Sequence, residues 1–479
     1  MDAKAIAALG SRLTLFLGGF ADCFGRHEPA EHLQTYVLGQ LSNLPRKSIE
    51  PIALHFDTPP RTLQQFLSRA RWDQERMRSR IQERVAAHHS DPDAVGIIDE
   101  GSYAKKGKQT PGVKRQYCGA SGKKDNCSVS VHLAYAAPHG FRTLLDGELF
   151  LPEDWSNDRE RCRKAGIPDD MVYRPKWRIA LELRDRAVAN GVPLPWLTFD
   201  EGYGRVPEFH KELDQRGQWY VAEVPTNFYG WCKRPAPLHK EHHPDSQRGG
   251  LALPRQLKVK NPPASRVDDL VGHSPVFTRQ AWQTFHIKES TKGPVVWQAK
   301  FAVFYISHSG QPGRPHWLVV ARNALDHNEV KYFVSNAPLN TKPHELLRVA
   351  FSRYAIERCF EDDKTEVGLD HFEVRNYRSL KRHLIISALS LLFLAEIHQQ
   401  DRGEKSGTDG LPDAYGGQRD DLLVIDERSQ AAGVLAASGP DYRVHPATER
   451  RRPQEPPQSG PPAAASTGHQ DLLFTALSA

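Results

Sequence analysis

The chain has 479 residues, 39% of them hydrophobic, which is enough for two or three domains with at least one sizeable core. Its formal charge of +6 is mildly basic and is compatible with a nucleic-acid partner. The six cysteines form no CxxC pair, and the longest apolar run, residues 384–397, is broken by polar residues. These features exclude a cysteine-rich zinc site and a membrane span. We expect free thiols in a reducing cytoplasm and a buried helix at 384–397.

Residues 1–90 place apolar side chains at helical spacing, as at Ile6, Leu9 and Leu13, and prolines separate the short segments. The pattern predicts an all-helical N-terminal domain. Within it, residues 61–84 hold seven arginines against three acids, interleaved with apolar side chains. Two interpretations stay open: a solvated arginine face on a bundle helix, or a helix that lies along DNA phosphates.

Residues 94–137 change to short β-branched and alternating runs that are separated by turns. They predict three antiparallel strands, the first of which, 94–98, ends on Asp99. The loop 102–114 that follows carries several lysines, including Lys105 and Lys106. A run of charge is usually only solvated. Because this one lies directly beside an acid, Lys105 and Lys106 are candidates for contact with a substrate phosphate.

Helix and strand patterns alternate between residues 175 and 224. Residues 175–190 predict a helix that proline opens and Gly191 closes. A strand at 196–199 then ends on Asp200, and a helix at 207–214 and a strand at 220–224 follow.

The next segment does not continue this alternation of helix and strand patterns. Residues 230–300 are rich in proline, histidine and basic residues, and β patterning returns near 303–306, 317–320 and 330–333. We therefore predict an inserted, mostly β segment at 229–335, followed by a helical part at 336–400. The composition of residues 401–479 predicts a flexible, disordered tail.

A single helix is predicted to begin near residue 342 and to continue through residues 351–369. Its spacing places Arg353, Glu357 and Lys364 on one face, together with apolar side chains. The structural interpretation is a surface helix with an Arg353–Glu357 pair worth ~0.3–0.5 kcal/mol. The functional interpretation is a catalytic carboxylate between two cations that hold a phosphate backbone.

Three acids therefore stand out: Asp99 and Asp200 at predicted strand ends, and Glu357 on a predicted helix. An acid at a strand end is more often a cap or a turn residue, so the combination carries the assignment. Three carboxylates are the hard oxygen ligands that magnesium and manganese prefer. Two such ions at a separation of ~3.5–4 Å can stabilise both the attacking and the leaving oxygen of a phosphoryl transfer.

Four stretches carry a resemblance to a known family: GIIDEGSYAKKG at 96–107, LPEDWSNDRERCRKAGIP at 151–168, LTFDEGYG at 197–204 and RYAIERCFEDDKTEVGLDHFEVR at 353–375. Over roughly residues 10–400, the chain resembles bacterial insertion-sequence transposases of the DDE class, close to insertion sequence family 701. A related signature spaces Tyr, Arg, Glu and Lys with two, three and six residues between them. Arg353, Glu357 and Lys364 fit this spacing, whereas Ala350 stands at the tyrosine position.

The resemblance implies an α/β ribonuclease-H-like catalytic core at 91–228 and 336–400, interrupted by the β-rich insertion at 229–335. Residues 1–90 would then be a helical DNA-binding or end-recognition domain. The implied enzyme cuts the ends of an insertion sequence and joins them to target DNA, as a homodimer on two paired ends. Its implied partners are double-stranded terminal inverted repeats and target DNA, at the bacterial nucleoid. Its implied cofactors are two Mg²⁺ (or Mn²⁺) ions held by the catalytic acids Asp99, Asp200 and Glu357, with Arg353 and Lys364 on the DNA backbone.

Two other classes of protein stay open. Another ribonuclease-H-like metal-dependent DNA endonuclease, such as a resolvase or a repair endonuclease, would not need the insertion at 229–335. A non-catalytic DNA-binding regulator derived from a transposase is expected to have lost one acid, and the sequence retains all three.

Overall fold

The computed structural model describes residues 3–236, 257–258, 261–288 and 294–406. Residues 3–88 are helical, as the apolar spacing predicts, with a 3₁₀ turn at Ala21–Cys23 and one isolated β-bridge between Phe24 and Trp72. The helices are α1 (Ala3–Gly18), α2 (His27–Leu41), α3 (Ile49–His55), α4 (Pro60–Ser68) and α5 (Gln74–His88).

The described strands form one mixed twelve-stranded sheet that runs β2-β3-β1-β5-β6-β12-β11-β10-β7-β8, with β4 beside β3 and β9 beside β10. Strands β1, β5 and β6 are parallel neighbours, β3 is antiparallel to β1, and β12 is antiparallel to β6. The strands are β1 (Val95–Ala104), β2 (Lys114–Cys118), β3 (Lys123–Ala136), β4 (Arg142–Leu149), β5 (Trp196–Phe199), β6 (Trp219–Val224), β7 (Tyr229–Trp231), β8 (Ser265–Arg266), β9 (Gln283–Lys288), β10 (Val295–His308), β11 (Gln311–Asn323) and β12 (Val330–Ser335).

The remaining helices connect and cover this sheet. The first five are α6 (Glu153–Asn157), α7 (Arg159–Lys164), α8 (Lys176–Ala189), α9 (Glu201–Gly204) and α10 (Pro207–Gln215). The others are α11 (Val267–His273), α12 (Pro275–Thr278), α13 (Pro343–Phe351), α14 (Tyr354–Asp362) and α15 (Tyr377–Ser406). The helices predicted at 175–190 and 207–214 are α8 and α10.

One sequence-based expectation about the strands needs correction, and the structure adds two features that were not predicted. Strand β1 does not end before Asp99, because its pairing with β3 continues to Ala104, opposite Cys127; only its pairing with β5 stops at Ile98. Strand β4 follows β3 as a further antiparallel strand and was not predicted. The inserted segment contributes strands to the same sheet, because β12 pairs directly with β6.

The helix predicted to run to residue 369 is interrupted. Helix α13 ends at Phe351, α14 begins at Tyr354, and a π-helical turn (Asp363–Val367) follows α14. The Ser352 hydroxyl donates to the Val349 carbonyl at 2.7 Å, which competes with the regular helical pattern at the break. Gly368, at φ +79°, closes the π turn in a backbone conformation that glycine adopts without strain.

Helix α15 joins the N-terminal helices to the sheet. Its residues from 384 to 394 are buried, so the predicted buried helix at 384–397 is confirmed. Ser387 and Ser390, which interrupt the apolar run, both hydrogen-bond to the buried Gln40 side chain of α2. One hydrophobic core therefore extends from the N-terminal helices to the sheet.

Helix α15 continues to Ser406, so the first residues of the predicted tail, 401–406, are helical; the rest of that prediction, 407–479, lies outside the described residues. All six cysteines are unpaired, as predicted. No helix in the described ranges has the length and the apolar character needed to cross a membrane.

Candidate active site

Three acids lie at the same level, on or directly after three neighbouring parallel strands. Ile98 of β1 pairs with Phe199 of β5, and Phe199 pairs with Ala222 of β6. The residues that follow these three positions are Asp99, Asp200 and Glu223. The β1–β5 and β5–β6 pairings both stop at this level, which places these side chains at one edge of the parallel part of the sheet. The structure therefore brings the two predicted aspartates together and adds a third acid, Glu223.

Asp200 also serves a local structural role, because it caps the short helix α9. Its carboxylate accepts hydrogen bonds from the backbone N–H groups of Gly202 at 3.0 Å and Tyr203 at 3.2 Å. This capping geometry fixes the carboxyl group at the end of β5. The same oxygen atoms have further lone pairs, so the cap and a ligand role are compatible.

Arg353 connects the acids of the sheet to Glu357. Its guanidinium lies 3.3 Å from the Asp99 carboxylate, 3.6 Å from that of Glu223 and 3.1 Å from that of Glu357. The Arg353–Glu357 pair of the structural interpretation thus exists, but it is one of three contacts. Arg353 is 24% exposed and Asp99 is 18% exposed, whereas Glu357 is 56% exposed. Arg353 therefore bridges the exposed Glu357 and the half-buried Asp99.

The charges at this edge strongly perturb Asp99. Burial raises its pKa to about 7, and the nearby negative charge of Asp200 adds to this effect. A hydrogen bond from the Glu100 backbone and the positive charge of Arg353 counteract part of the increase. For Arg353, burial disfavours the cation, but the charges of Asp99, Glu357, Glu223 and Asp200 outweigh burial and raise its pKa. One arginine thus lies among four carboxylates, and its single positive charge compensates only part of theirs.

The fit of this edge to divalent ions depends on Arg353. Among the residues that the structure describes, no group of three His, Cys, Asp or Glu side chains is arranged to hold a metal ion. Asp99 and Asp200 nevertheless supply hard carboxylate oxygens, and their mutual repulsion is the kind that a bound cation relieves. The donor chemistry therefore fits Mg²⁺ or Mn²⁺ at these two aspartates, and Glu357 could join them only after Arg353 has moved.

Lys364 lies in the π-helical turn rather than on a continuous helix with Glu357. Its ammonium is 5.8 Å from the centre of the Phe360 ring. Beneath it, the buried His132 stands opposite Asp99 on β3. Burial and the positive charge of Lys364 lower the His132 pKa to about 3, so this histidine stays neutral. The His132 Nε2 lies 2.6 Å from the Ser130 hydroxyl, and this contact holds the histidine among the buried side chains of β3.

The two lysines that follow β1 differ in their surroundings. The Lys105 ammonium donates to the Phe372 carbonyl at 2.7 Å and lies 3.6 Å from the centre of the Phe372 ring. Burial lowers its pKa to about 8, although the charge of Asp370 opposes this change. Lys105 therefore ties the end of β1 to the segment after the π turn, whereas Lys106 is exposed.

Several arginines of residues 61–84 form ion pairs inside the protein. Arg76 and Arg80 share Asp22, and Arg84 pairs with Glu396 of α15 at 2.7 Å. Arg78 is buried against Asp146 and Glu148 of β4. These contacts favour a structural role for much of this arginine face. They leave the other arginines of the segment, Arg61, Arg69 and Arg71, as its remaining candidates for DNA contact.

Glu223 is the site residue that sequence reasoning missed. A signal was present, because an acid interrupts the apolar run of the strand Trp219–Val224. Its position beside Asp200 follows only from the register between β5 and β6. The Glu223 carboxylate also accepts a hydrogen bond from Lys331 of β12 at 2.8 Å, so it links the first sheet strands to the insertion.

Comparisons with known proteins show what this chain is similar to. Residues 19–294 match the family described as DDE superfamily endonucleases; the match includes Asp99 and Asp200 and ends before Glu357. A probable transposase for insertion sequence element IS701, from Microchaete diplosiphon, is 31% identical over 195 residues. These residues make up 40% of this chain and 48% of the relative, so the chain spans about half the length of that protein.

Proposed function

Since the chain belongs to the family of DDE superfamily endonucleases, we propose that it is a DNA transposase that cuts the ends of an insertion sequence and joins them to target DNA. The alignment of Asp99 with Asp200 on adjacent parallel strands, with Glu357 linked to Asp99 through Arg353, carries this proposal. The similarity to a probable insertion-sequence transposase supports the same substrate class.

The proposed catalytic core is ribonuclease-H-like. In support, the strands β4, β3, β1, β5 and β6 are neighbours in that order, with β3 antiparallel and β5 and β6 parallel to β1. Such a sheet presents its chemistry at the carboxyl ends of the parallel strands, which is where the acids lie. The proposed domain limits remain 91–228 and 336–400 for the core, 229–335 for the insertion and 1–90 for end recognition.

Asp99, Asp200 and Glu357 are the proposed ligands for two Mg²⁺ or Mn²⁺ ions. When bound, such ions polarise the phosphoryl oxygens and lower the pKa of the attacking water or 3′-hydroxyl. The chain itself positions the ligands: α9 fixes Asp200, and the β1–β3 pairing fixes Asp99. Because the Asp99 pKa is about 7, a proton competes with a cation for this carboxylate near neutral pH.

Arg353 has two proposed states in this mechanism. In one state, its guanidinium contacts Asp99, Glu223 and Glu357 and compensates part of their charge. In the other, bound cations would supply this compensation, and the planar guanidinium would be free to hold a DNA phosphate in two hydrogen bonds. Glu223 keeps Arg353 close to the site during this exchange. Lys364, Lys105 and Lys106 are the further proposed contacts to the backbone.

The proposed assembly is a homodimer on two paired DNA ends, with the β-rich insertion close to the terminal bases. The experiment uses the full chain and a plasmid that carries the DNA flanking its reading frame on both sides. We expect Mg²⁺-dependent nicks at two positions that bracket the frame, followed by joining of the new 3′-ends to a second plasmid. Nicks without joining would indicate another metal-dependent DNA endonuclease. Binding without nicks would indicate a DNA-binding regulator.

A further inference from the structure

A basic β-hairpin extends beyond the edge of the sheet that carries the acids. Strand β3 pairs with β1 only as far as Cys127, opposite Ala104. The rest of β3 pairs with β2, from Arg115 opposite Asn126 to Cys118 opposite Lys123. Because β1 runs from its buried start toward Asp99 and onward, this hairpin lies past the end of β1, on the side of the site.

One face of this hairpin continues the face on which Asp99 lies. Asp99 stands opposite His132 of β3, and side chains two apart on a strand share one face. Lys124 is therefore on the His132 face. Tyr117 is paired with Lys124, and Arg115 lies two residues before Tyr117, so both share that face. We call Arg115, Tyr117 and Lys124 the hairpin face.

The hairpin face carries charge that the described protein does not neutralise. Arg115 and Lys124 are exposed, and Tyr117 is 65% exposed. Within the described residues, the side chains of Arg115 and Lys124 enter no ion pair or hydrogen bond, in contrast to Arg76, Arg80 and Arg84 of α5. Cations around an exposed aromatic ring suit a nucleic-acid backbone with its sugars and bases.

The hairpin is also held in place from beneath. Cys118, Cys127 and Val129 pack together on its other face, against Phe150. The Asn126 side chain donates to the Gly107 carbonyl at 2.9 Å, and the Ala120 N–H donates to the Ser102 hydroxyl at 3.1 Å. The ribbon is therefore fixed to the end of β1, and its cations are positioned in advance of any ligand.

We propose that the hairpin face of Arg115, Tyr117 and Lys124 is a DNA-binding ribbon that holds the duplex on one side of the cleavage site. The inference rests on the proposed DNA substrate. Lys124 is eight residues from His132, the partner of Asp99, which corresponds to about 27 Å along a strand. At about 3.4 Å per base pair, the ribbon contacts phosphates about eight base pairs from the cut.

The binding experiment uses the full chain and a fluorescent 40-base-pair duplex of random sequence, because phosphate contacts do not depend on sequence. Arg115→Ala/Lys124→Ala is compared with Lys211→Ala/Lys342→Ala, which removes the same charge from two exposed lysines elsewhere. We expect the first pair of substitutions to raise the Kd about ten- to thirtyfold at 0.15 M salt. It should also lower the slope of log Kd against log salt by about 2.

Charge-preserving substitutions distinguish the loss of a DNA contact from a defect in folding. Arg115→Lys/Lys124→Arg should bind within about twofold of the wild type, and all variants should share its melting temperature. Equal binding by the hairpin variant and the lysine control would overturn the inference and leave the proposed function intact. In that case, the cations would serve only to protect the edge strand β2 from pairing with another chain.

Phosphate ethylation gives a second readout in the plasmid reaction. Ethylated phosphates about eight base pairs from the nick, on one side, should block nicking by the wild type. Interference confined to the phosphates next to the nick would contradict the ribbon. A wild-type protein that binds the random duplex through the hairpin but never nicks would contradict the transposase proposal instead.

Discussion

Replacement of Asp99 by Asn should stabilise the metal-free protein at alkaline pH, although it removes a proposed ligand. The Asp99 pKa rises from 3.8 to about 7 in the folded protein, mainly through burial and then through the charge of Asp200. The folded state therefore prefers the protonated carboxyl group. Ionisation of Asp99 therefore leaves the free energy of unfolding almost unchanged below about pH 4, lowers it progressively between pH 4 and 7, and lowers it by the full amount above pH 7.

The magnitude follows from the size of this change. A shift of about three pH units corresponds to at most about 4 kcal/mol, since each unit is worth about 1.36 kcal/mol. Asp99 is 18% exposed, so solvent reduces the penalty, and we expect about 2–3 kcal/mol at pH 8. Asn keeps the shape of the side chain and carries no charge at either pH. The free energy of unfolding of the variant should therefore increase relative to that of the wild type as the pH rises.

The assay is urea unfolding in EDTA at pH 5 and pH 8, followed by circular dichroism. The matched control is Asp170→Asn, because Asp170 is an exposed aspartate outside the site. Asp99→Asn should raise the midpoint relative to the wild type at pH 8, with a difference about two-fifths as large at pH 5. Added Mg²⁺ should then stabilise the wild type at pH 8 and not the variant. A variant that is equally destabilised at both pH values would refute the electrostatic reasoning.

Further predictions concern the cations Arg353 and Lys364 and the acid Glu223. Arg353→Ala and Lys364→Ala should each reduce DNA binding and nicking together by roughly tenfold or more, because each variant loses a charge-assisted contact to phosphate. Gel shifts measure the binding; a variant with unchanged DNA affinity and unchanged nicking would show that its residue has only a structural role. Arg353→Lys should recover little, because a point charge replaces a planar donor. Glu223→Gln should weaken Mn²⁺ binding, measured by calorimetry, less than Asp200→Asn does, because the proposed role of Glu223 is to hold Arg353. An equal loss of Mn²⁺ affinity in the two variants would indicate that Glu223 is itself a ligand.

Local sequence patterns predicted the strands that carry the aspartates. The strand at 196–199 coincides with β5, and the helix at 175–190 differs from α8 by one residue at each end. Helix α8 is bounded by strong signals, namely a proline before it and Gly191 at φ +85° after it. The buried helix at 384–397 was also legible, because its apolar run is too long to be exposed and too short to cross a membrane.

Features that depend on long-range pairing were not predictable. The continuation of β1 past Asp99 depends on β3, which follows it by about thirty residues. The break at Ser352, whose hydroxyl donates to the Val349 carbonyl, interrupts an otherwise regular helical pattern of apolar residues. The position of Arg353 among the acids requires α14 to pack beside three strands, and the spacing of Arg353 and Glu357 alone indicated only their mutual pair.

The central claim is that the two aspartates at the sheet edge hold the ions that cut DNA. The most direct measurement is Mg²⁺-dependent nicking by the wild type and by Asp200→Asn, with DNA affinity determined on the same preparations. Asn retains an oxygen that can cap α9 and loses the negative charge that binds a cation. The account predicts DNA affinity within about twofold of the wild type and nicking at background level. Nicking by Asp200→Asn at a rate near that of the wild type would contradict it.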